Sequence, residues 1–267
     1  MRSNRFARLL ASAAIIAGIG FATAGCQTTQ VADNTNSIPL TPEQRSDADL
    51  RRDVIVYGTQ YHSNPQDMNV ALHYAQALRG TGQYAQASAV LQQVSFRNPH
   101  NQIVLGEYGR ALAEAGEYQQ ALQVLEGATT PDQPDWRILS AQGAVLDQLG
   151  RHEEAQRHYL TALKIVPDEP TVLSNLGLSY ALSKNLTDAE ATLRRAATHQ
   201  PVDPRVRQNL ALVVGLQGRF AEAESIAQAD LPPDQAAANV AYLRNMLAKK
   251  GDAPAVKRTA RNDARSS

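Results

Sequence analysis

The feature of this sequence that most constrains its fold is a 34-residue period that runs from Met68 to Gln235. Five units follow this period, and three columns of small or turn-forming residues recur in phase. The column at the fifteenth position of each unit consists of Gly82, Gly116, Gly150, Lys184 and Gly218. The column at the twentieth position consists of Ala87, Ala121, Ala155, Ala189 and Ala223. The column at the eighth position consists of Ala75, Gly109, Gly143, Gly177 and Ala211. Composition bias does not produce three columns in phase, so the chain repeats one structural unit five times.

Each unit is predicted to be a pair of antiparallel helices. The small residue at position eight lets the partner helix approach closely, while large apolar residues such as Leu173, Leu176 and Tyr180 fill the space around it. The glycine at position fifteen ends the first helix, because glycine adopts the left-handed conformation with the least strain. The alanine at position twenty marks the crossing of the second helix over the first. A 34-residue helix pair with these columns resembles the tetratricopeptide repeat, so we expect an all-α tetratricopeptide-repeat solenoid.

The predicted boundaries follow from the period. The five repeats are expected at residues 68–101, 102–135, 136–169, 170–203 and 204–237. An N-terminal capping helix is expected within residues 41–67, with Thr41 as its N-cap, Pro42 at its first position and Gln44 three residues after the cap. A C-terminal capping helix is expected to start near Pro233 and to continue over residues 238–250, and residues 251–267 are expected to be a disordered tail.

The first 25 residues indicate an export signal. Three arginines precede the apolar run Leu9–Ala24, which is short and rich in small residues for a membrane span. The small residues before Cys26 resemble a bacterial lipobox, in which Cys26 would be acylated, although Thr23 stands where leucine is usual. Ala22-Thr23-Ala24 also fits cleavage by an ordinary signal peptidase. A lipoprotein is therefore expected, with a soluble periplasmic protein as the alternative.

Cys26 is the only cysteine in the chain, so neither an intrachain disulfide nor a cysteine-based metal site can form. Acyl chains on this residue would anchor the chain firmly, since each buried methylene contributes roughly 0.8 kcal/mol. Gln27 at the next position resembles an outer-membrane sorting signal. The polar residues 26–40 are expected to form a flexible tether. The expected location is the periplasmic face of the outer membrane, with a lipid anchor at Cys26.

Charge and motif content exclude several classes of function. Without the three arginines of the signal segment, 23 basic and 26 acidic groups remain, a net charge of about −3. Nucleic acid is not an expected partner, because phosphate binding needs a clustered basic surface. His152 and His158 lie roughly 240° apart around a helix and cannot share a metal-ligand face. No arrangement of nucleophile and base is evident, so we expect no enzyme activity, cofactor, metal or small-molecule substrate.

The expected binding surface is the concave groove that the first helices of the repeats line. Positions two, five, nine and twelve carry its candidate residues, which are Arg110, Arg137, Ser140, Asp147, Ser174, Leu178, Arg205 and Gln208. The arginines could bind a carboxylate or an acidic peptide through forked hydrogen bonds, and the alternative is that they are solvated or paired with Asp and Glu. Asn175 and Asn209 occupy position six of successive repeats. Their amides could form a two-rung ladder that grips a peptide backbone, because an amide both donates and accepts.

Three blocks of the last two repeats carry a more specific resemblance. They are Asp188–Ala197, Asp203–Glu224, and Asp230–Pro233 followed by Ala237–Arg244. Together they resemble the TadD-type tetratricopeptide lipoproteins of the tight-adherence (Flp) pilus assembly system. This resemblance extends over roughly residues 68–247 and is densest in residues 188–247. It implies a non-catalytic adaptor at the outer membrane that assists the secretin channel, acts like a pilotin and has a secretin or another Tad component as its protein partner. The alternative is a general periplasmic adaptor for cell-wall enzymes or outer-membrane assembly.

Overall fold

The structure is a computed structural model that describes residues 46–129, 132 and 134–251. The predicted signal segment, Cys26, the tether, Thr41 and the predicted tail beyond Gly251 lie outside these residues. The described residues form twelve α-helices and no strand, so the predicted all-α class is confirmed. The helices are α1 (Asp47–Ser63), α2 (Met68–Gly80), α3 (Tyr84–Arg97), α4 (Gln102–Glu114), α5 (Tyr118–Gly127), α6 (Trp136–Gln148), α7 (His152–Ile165), α8 (Pro170–Leu182), α9 (Leu186–Ala196), α10 (Pro204–Leu216), α11 (Phe220–Ala227) and α12 (Pro233–Gly251).

The chain divides into two compact units. Unit 1 extends to Pro167 and contains α1–α7, and unit 2 begins at Asp168 and contains α8–α12. In unit 1 each helix packs on the next one along the chain, and α4 also packs on both α2 and α6. In unit 2 α10 likewise packs on both α8 and α12. Contacts between first helices of successive repeats are what a stack of helical hairpins requires.

The turns within the repeats have the predicted geometry. Gly82, Gly116, Gly150 and Gly218 have φ angles of 76°, 87°, 77° and 85°. Lys184 takes the same left-handed conformation with a φ of 69°. After each of these residues the next backbone N–H donates to a carbonyl five residues back, for example Arg151 N–H to Leu146 O at 2.9 Å. This is the hydrogen bond that closes a helix with a Schellman motif.

The small residue at position eight is what allows the two helices of a repeat to touch. A Cβ added to Gly143 would lie 2.6 Å from Cε1 of Tyr159, and one added to Gly177 would lie 2.6 Å from Cγ of Leu193. Tyr159 and Leu193 are themselves buried at 1% and 0% exposure. The alanine column at position twenty is also buried at the helix crossings. The periodic columns therefore describe the packing within each hairpin.

The N-terminal helix of the described residues has a serine cap, while the predicted cap at Thr41 lies outside these residues. Ser46 has an extended backbone, with φ −69° and ψ 155°, and α1 begins at Asp47. The Ser46 hydroxyl accepts a hydrogen bond from the Asp49 backbone N–H at 3.2 Å. Because serine satisfies an unpaired N–H of the first turn, Ser46 is the N-cap that ends the helix on this side.

Candidate protein-binding surface

In unit 1 the first-helix face carries an ion-pair cluster that joins α2 to α4. The Arg79 guanidinium donates to both carboxylate oxygens of Glu114, at 2.7 Å each, and also to Glu107. Glu107 in turn accepts a hydrogen bond from Arg110 at 2.9 Å. The Arg79 side chain is only 18% exposed. A forked pair of this kind is geometrically specific, so it fixes the approach of the two helices more than it offers charge to a ligand.

The predicted arginines of unit 1 each have an acidic neighbour. Arg110 pairs with Glu107, as above, and Arg137 lies 3.9 Å from Asp135. The Arg137 guanidinium also lies over the ring of Trp136, 4.5 Å from its centre. Arg137 is 58% exposed, so its ion pair is weak and a ligand carboxylate can reach the guanidinium.

Two other predicted groove residues of unit 1 are buried. Ser140 is 7% exposed and Asp147 is 6% exposed, so neither belongs to a ligand-facing surface. Asp147 accepts hydrogen bonds from Nδ1 of His152 at 2.8 Å and from the Tyr159 hydroxyl at 3.2 Å. Burial raises the pKa of Tyr159 well above its ordinary value, and the charge of Asp147 adds to this effect. These three side chains form a polar link between α6 and α7 within the hairpin.

In unit 2 the first-helix face consists of half-exposed or exposed side chains of α8 and α10, namely Asn175, Leu178, Arg205, Gln208 and Asn209. Ser174, which the sequence placed with them, is buried at 8% exposure and is corrected to a supporting role. Its hydroxyl accepts a hydrogen bond from Nδ2 of Asn209 at 3.0 Å. An amide has two N–H donors and a carbonyl acceptor, and this bond uses one donor while it fixes the orientation of the group.

Arg205 lies at the first turn of α10 and is 59% exposed. Its guanidinium donates to Oδ2 of Asp203 at 2.9 Å, while its backbone N–H donates to Oδ1 of the same residue at 2.8 Å. The hydrogen bonds from Arg205 lower the pKa of Asp203 below its ordinary value. Arg205 is therefore a held but accessible cation, one helical turn before Asn209 on α10. The unit 2 face thus combines amide groups and one accessible guanidinium, which suits an extended peptide with an acidic group.

Sequence reasoning missed several ion pairs that join neighbouring repeats. Arg79 and Glu114 are 35 residues apart, which is one residue more than the 34-residue period. Arg79 and Glu107 are 28 residues apart, which is six residues fewer than the period. The same separation of 28 joins Arg194 to Glu222, at 2.6 Å. Opposite charges at these two separations are the sequence signal that would have found the pairs.

The end of the fifth repeat holds a further pair. Asp230 stands where alanine or valine is usual in the repeat, and it is 11% exposed on its side chain. Nε of Arg207 donates to its Oδ2 at 2.6 Å, and a second nitrogen of the guanidinium contacts Oδ1. Arg207 on α10 therefore gives this largely shielded carboxylate an ionic partner, and removing Arg207 would leave the charge of Asp230 unpaired by that residue.

Within the described ranges no cluster of three or more His, Cys, Asp or Glu residues is arranged to hold a metal ion. In the same ranges no helix combines the length and hydrophobicity needed to span a bilayer.

Comparison with protein families gives three matches over overlapping parts of the chain. Profiles described as tetratricopeptide repeat match residues 68–93 and 82–144, and one described as TPR repeat matches residues 143–184. Together these matches extend over residues 68–184. The same hairpin geometry continues in α10 and α11 of unit 2, so the tetratricopeptide-repeat fold predicted from the period is confirmed.

Solved structures share this fold at low sequence identity. PilW, described as a widely conserved type IV pilus biogenesis factor, is similar with a TM-score of 0.63 and 16% identity over 72% of this chain and 91% of that one. A thermophilic tetratricopeptide-repeat protein of Thermus thermophilus has a TM-score of 0.57 and 22% identity over 66% and 97% of the two chains.

A chain of the APC/C hetero-tetramer Cut9–Hcn1 has a TM-score of 0.59 and 14% identity, over 74% of this chain and only 40% of the larger one. At these identities the likeness concerns the fold alone. A search of curated protein sequences gives no match. Tetratricopeptide repeats present binding surfaces to protein partners, so the matched repeats indicate a protein-interaction scaffold.

Proposed function

We propose that this protein is an outer-membrane lipoprotein that assists assembly of the Flp/Tad pilus secretion machinery. It is anchored through a lipid at Cys26 on the periplasmic face, and it holds a segment of the secretin or of another Tad component. The role is pilotin-like and non-catalytic. A binding adaptor is consistent with a repeat fold, which presents extended surfaces to a partner.

The observation that carries the proposal is the resemblance of three sequence blocks to TadD-type lipoproteins. In the structure the blocks Asp188–Ala197 and Asp203–Glu224 form most of α9 and all of α10, together with the start of α11, and Ala237–Arg244 lies in α12. The blocks thus lie in one compact unit. The fold shared with PilW, itself a pilus biogenesis factor, also supports a role in pilus assembly.

The binding surface in this proposal is the unit 2 face. Asn209 is held by Ser174, and Arg205 is held by Asp203, so both groups are oriented before a ligand arrives. Preorganised groups bind with less loss of conformational freedom. A weak groove suffices when the chain is anchored beside its partner, because anchoring raises the effective concentration.

The test is a crosslinked pull-down from membranes of cells that assemble the pilus. We compare the wild type with an Asn175→Ala, Asn209→Ala double variant. A matched control carries the same chemical change at Asn239 and Asn245, which are exposed on α12. Each amide hydrogen bond contributes about 1 kcal/mol, so recovery of the secretin is expected to fall roughly tenfold to thirtyfold in the first variant and to stay unchanged in the control.

Three outcomes separate the readings. Recovery of a secretin or another Tad component by the wild type supports the pilus role, and its selective loss locates the contact on the unit 2 face. Equal loss in the control variant would contradict that location. Recovery of cell-wall enzymes without any Tad component would overturn the pilus assignment in favour of a general periplasmic adaptor.

A further inference from the structure

A cleft in unit 1 lies between the start of α5 and the end of α6. Its volume is about 540 Å³, which is within the range of roughly 300–1,000 Å³ that small-molecule sites occupy. Two side chains with apolar surface line it, namely Tyr118 in the first turn of α5 and Leu149, the C-cap of α6. Both residues are half-buried, so the cleft offers a fixed apolar wall that a ligand can still reach.

The polar part of the cleft consists mainly of glutamine side chains. Gln119, Gln120 and Gln123 of α5 line it, and all three are exposed. Nε2 of Gln120 donates to the Tyr108 hydroxyl at 3.1 Å, which fixes the orientation of that amide and turns its carbonyl oxygen away from this bond. An amide both donates and accepts hydrogen bonds, so three amides suit a ligand that carries both kinds of group.

The charge of the cleft favours an uncharged ligand. Glu117, the N-cap of α5, is the one charged residue among the described residues that line the cleft, and its side chain does not cap the first turn. The backbone N–H groups of that turn therefore have no side-chain acceptor from Glu117. An anion would be attracted by the positive end of the helix dipole but repelled by the carboxylate, and a cation would meet the opposite pair of effects. A neutral ligand can bond to both groups.

The repeat fold does not require this lining. Where the cleft has two of its glutamines and its leucine, the equivalent positions of the first repeat, 34 residues earlier, hold Ala85, Ala89 and Ala115. The first repeat nevertheless forms the same hairpin, with a left-handed Gly82 and a helix that begins at Tyr84. The side chains of the cleft are therefore particular to the second repeat, and the packing of a hairpin does not account for them.

We propose that this cleft binds an N-acetylated oligosaccharide. A sugar ring combines a face of C–H groups with hydroxyls that both donate and accept hydrogen bonds. The C–H face packs on Tyr118 and Leu149, the hydroxyls bond to the glutamine amides, and the carboxylate of Glu117 accepts from a hydroxyl. The carbonyl oxygen of an acetamido group accepts from the N–H groups of the first turn of α5. The inference rests on the cleft alone and holds whether or not the pilus role does.

The exposure of the cleft sets the strength of binding. Its polar side chains are exposed, so water competes for each hydrogen bond and the dissociation constant is expected to be on the order of 1 mM. A chain anchored beside the cell wall would still bind, because a long glycan presents many copies of the same unit close to the cleft.

Titration of the ¹⁵N-labelled full chain with tri-N-acetylchitotriose, followed by NMR, tests the proposal. Every chain carries Cys26→Ser, which removes the only thiol. The side-chain amide signals of the three glutamines are expected to shift together. A Gln119→Ala, Gln123→Ala double variant should weaken binding about tenfold to thirtyfold, since each amide hydrogen bond contributes about fivefold. Both residues are exposed and alanine favours a helix, so the double variant should fold.

Gln86→Ala is the matched control, because Gln86 is exposed on α3 at the position equivalent to Gln120 and lies outside the cleft. Its affinity should equal that of the parent chain. The absence of shifts at about twenty times the expected dissociation constant, or equal weakening in the control, would overturn the proposal.

Two further ligands test the chemical class. Cellotriose has the same kind of ring without acetamido groups and should bind at least about fivefold more weakly, because one hydrogen bond is lost. Equal binding of cellotriose would overturn the assignment to N-acetylated saccharides. A neutral peptide, Gly-Ser-Gly-Ser, that shifts the same glutamine signals at lower concentration would assign the cleft to peptides and overturn the saccharide site.

Discussion

At the scale of single residues, Lys184 occupies a backbone conformation that four glycines adopt at the equivalent position. Its φ of 69° is left-handed, and the turn still closes through the Asn185 N–H bond to Tyr180 O at 2.8 Å. A side chain in this conformation costs about 1–2 kcal/mol, because its Cβ crowds the following carbonyl. Unit 2 therefore contains one repeat whose internal turn is strained.

Lys184→Gly is expected to raise the free energy of unfolding by about 0.5–1 kcal/mol, since the relieved strain exceeds the added flexibility of the unfolded chain. Urea unfolding followed by circular dichroism measures the change. Gly150→Ala is the reverse case, because Gly150 has a φ of 77°, and it should lower stability by about 1 kcal/mol. A destabilising Lys184→Gly would mean that the lysine side chain contributes more than its strain costs.

Gly177 illustrates a second residue-level constraint, which is space. Gly177→Ala would put its Cβ 2.6 Å from Cγ of the fully buried Leu193. The two helices of the hairpin must then move apart, at a cost of about 1–3 kcal/mol in the free energy of unfolding. Gly127→Ala is the control, since no atom lies within 4 Å of its added Cβ. Equal stability of the two variants in urea unfolding would contradict close contact between α8 and α9.

At the scale of helices, Glu190 on α9 binds side chains both from its own helix and from the connection between α10 and α11. It accepts hydrogen bonds from Arg194 of its own helix at 2.8 Å, and from Gln217 and Arg219 of the α10–α11 connection at 2.9 and 2.7 Å. Burial alone would raise the pKa of Glu190, but these hydrogen bonds lower it below its ordinary value of 4.5. The Glu190 side chain is 15% exposed, so the contacts are only partly screened by solvent.

This arrangement makes the stability of unit 2 depend on pH in a definite direction. A carboxylate with a lowered pKa in the folded state stabilises the fold above its unfolded pKa, and the contribution is lost as the pH falls through the folded value. The midpoint of urea unfolding should therefore fall more steeply below about pH 4.5 in the wild type than in Glu190→Gln. Glu224→Gln, at a residue that accepts a bond from Gln228, is the control and should keep the wild-type slope. Parallel pH curves for all three chains would contradict the role of Glu190.

At the scale of the whole molecule, the expected location depends on one residue outside the described ranges. If Cys26 carries the lipid, Cys26→Ser should move the protein from the membrane fraction to the soluble periplasmic fraction. Carbonate washing followed by immunoblotting measures the distribution, and labelling with a palmitate analogue reports the modification itself. A wild-type chain that is soluble and unlabelled would favour ordinary signal cleavage. The binding surfaces of units 1 and 2 would be unaffected by that outcome.

The sequence predicted the helical hairpins well because their contacts recur with the period. Small residues, turn glycines and crossing alanines each repeat for a reason that is the same in every unit. The cap of α1 at Ser46 belongs to no periodic column, so the period could not predict it. The burial of Ser140 and Ser174 could not be predicted from the sequence either. The position of a residue within a repeat does not indicate how closely the first helix of the next repeat packs against it. The ion pair of Asp230 could not be predicted without its partner Arg207, because Asp230 lies in the turn after α11 and Arg207 lies on α10 of the same repeat.

The cluster of Arg79 with Glu107 and Glu114 gives the repeats an order. One period further along the chain, the positions of Glu107 and Glu114 hold Ala141 and Gln148, which carry no charge. Removing the second repeat cleanly would leave every apolar column in register, yet Arg79 would face neutral side chains in a site where it is largely shielded from water. Unequal recombination between repeats would thus produce chains that keep the periodic apolar columns but lose the ion pairs between neighbouring repeats. The repeats are alike in shape but are not interchangeable parts.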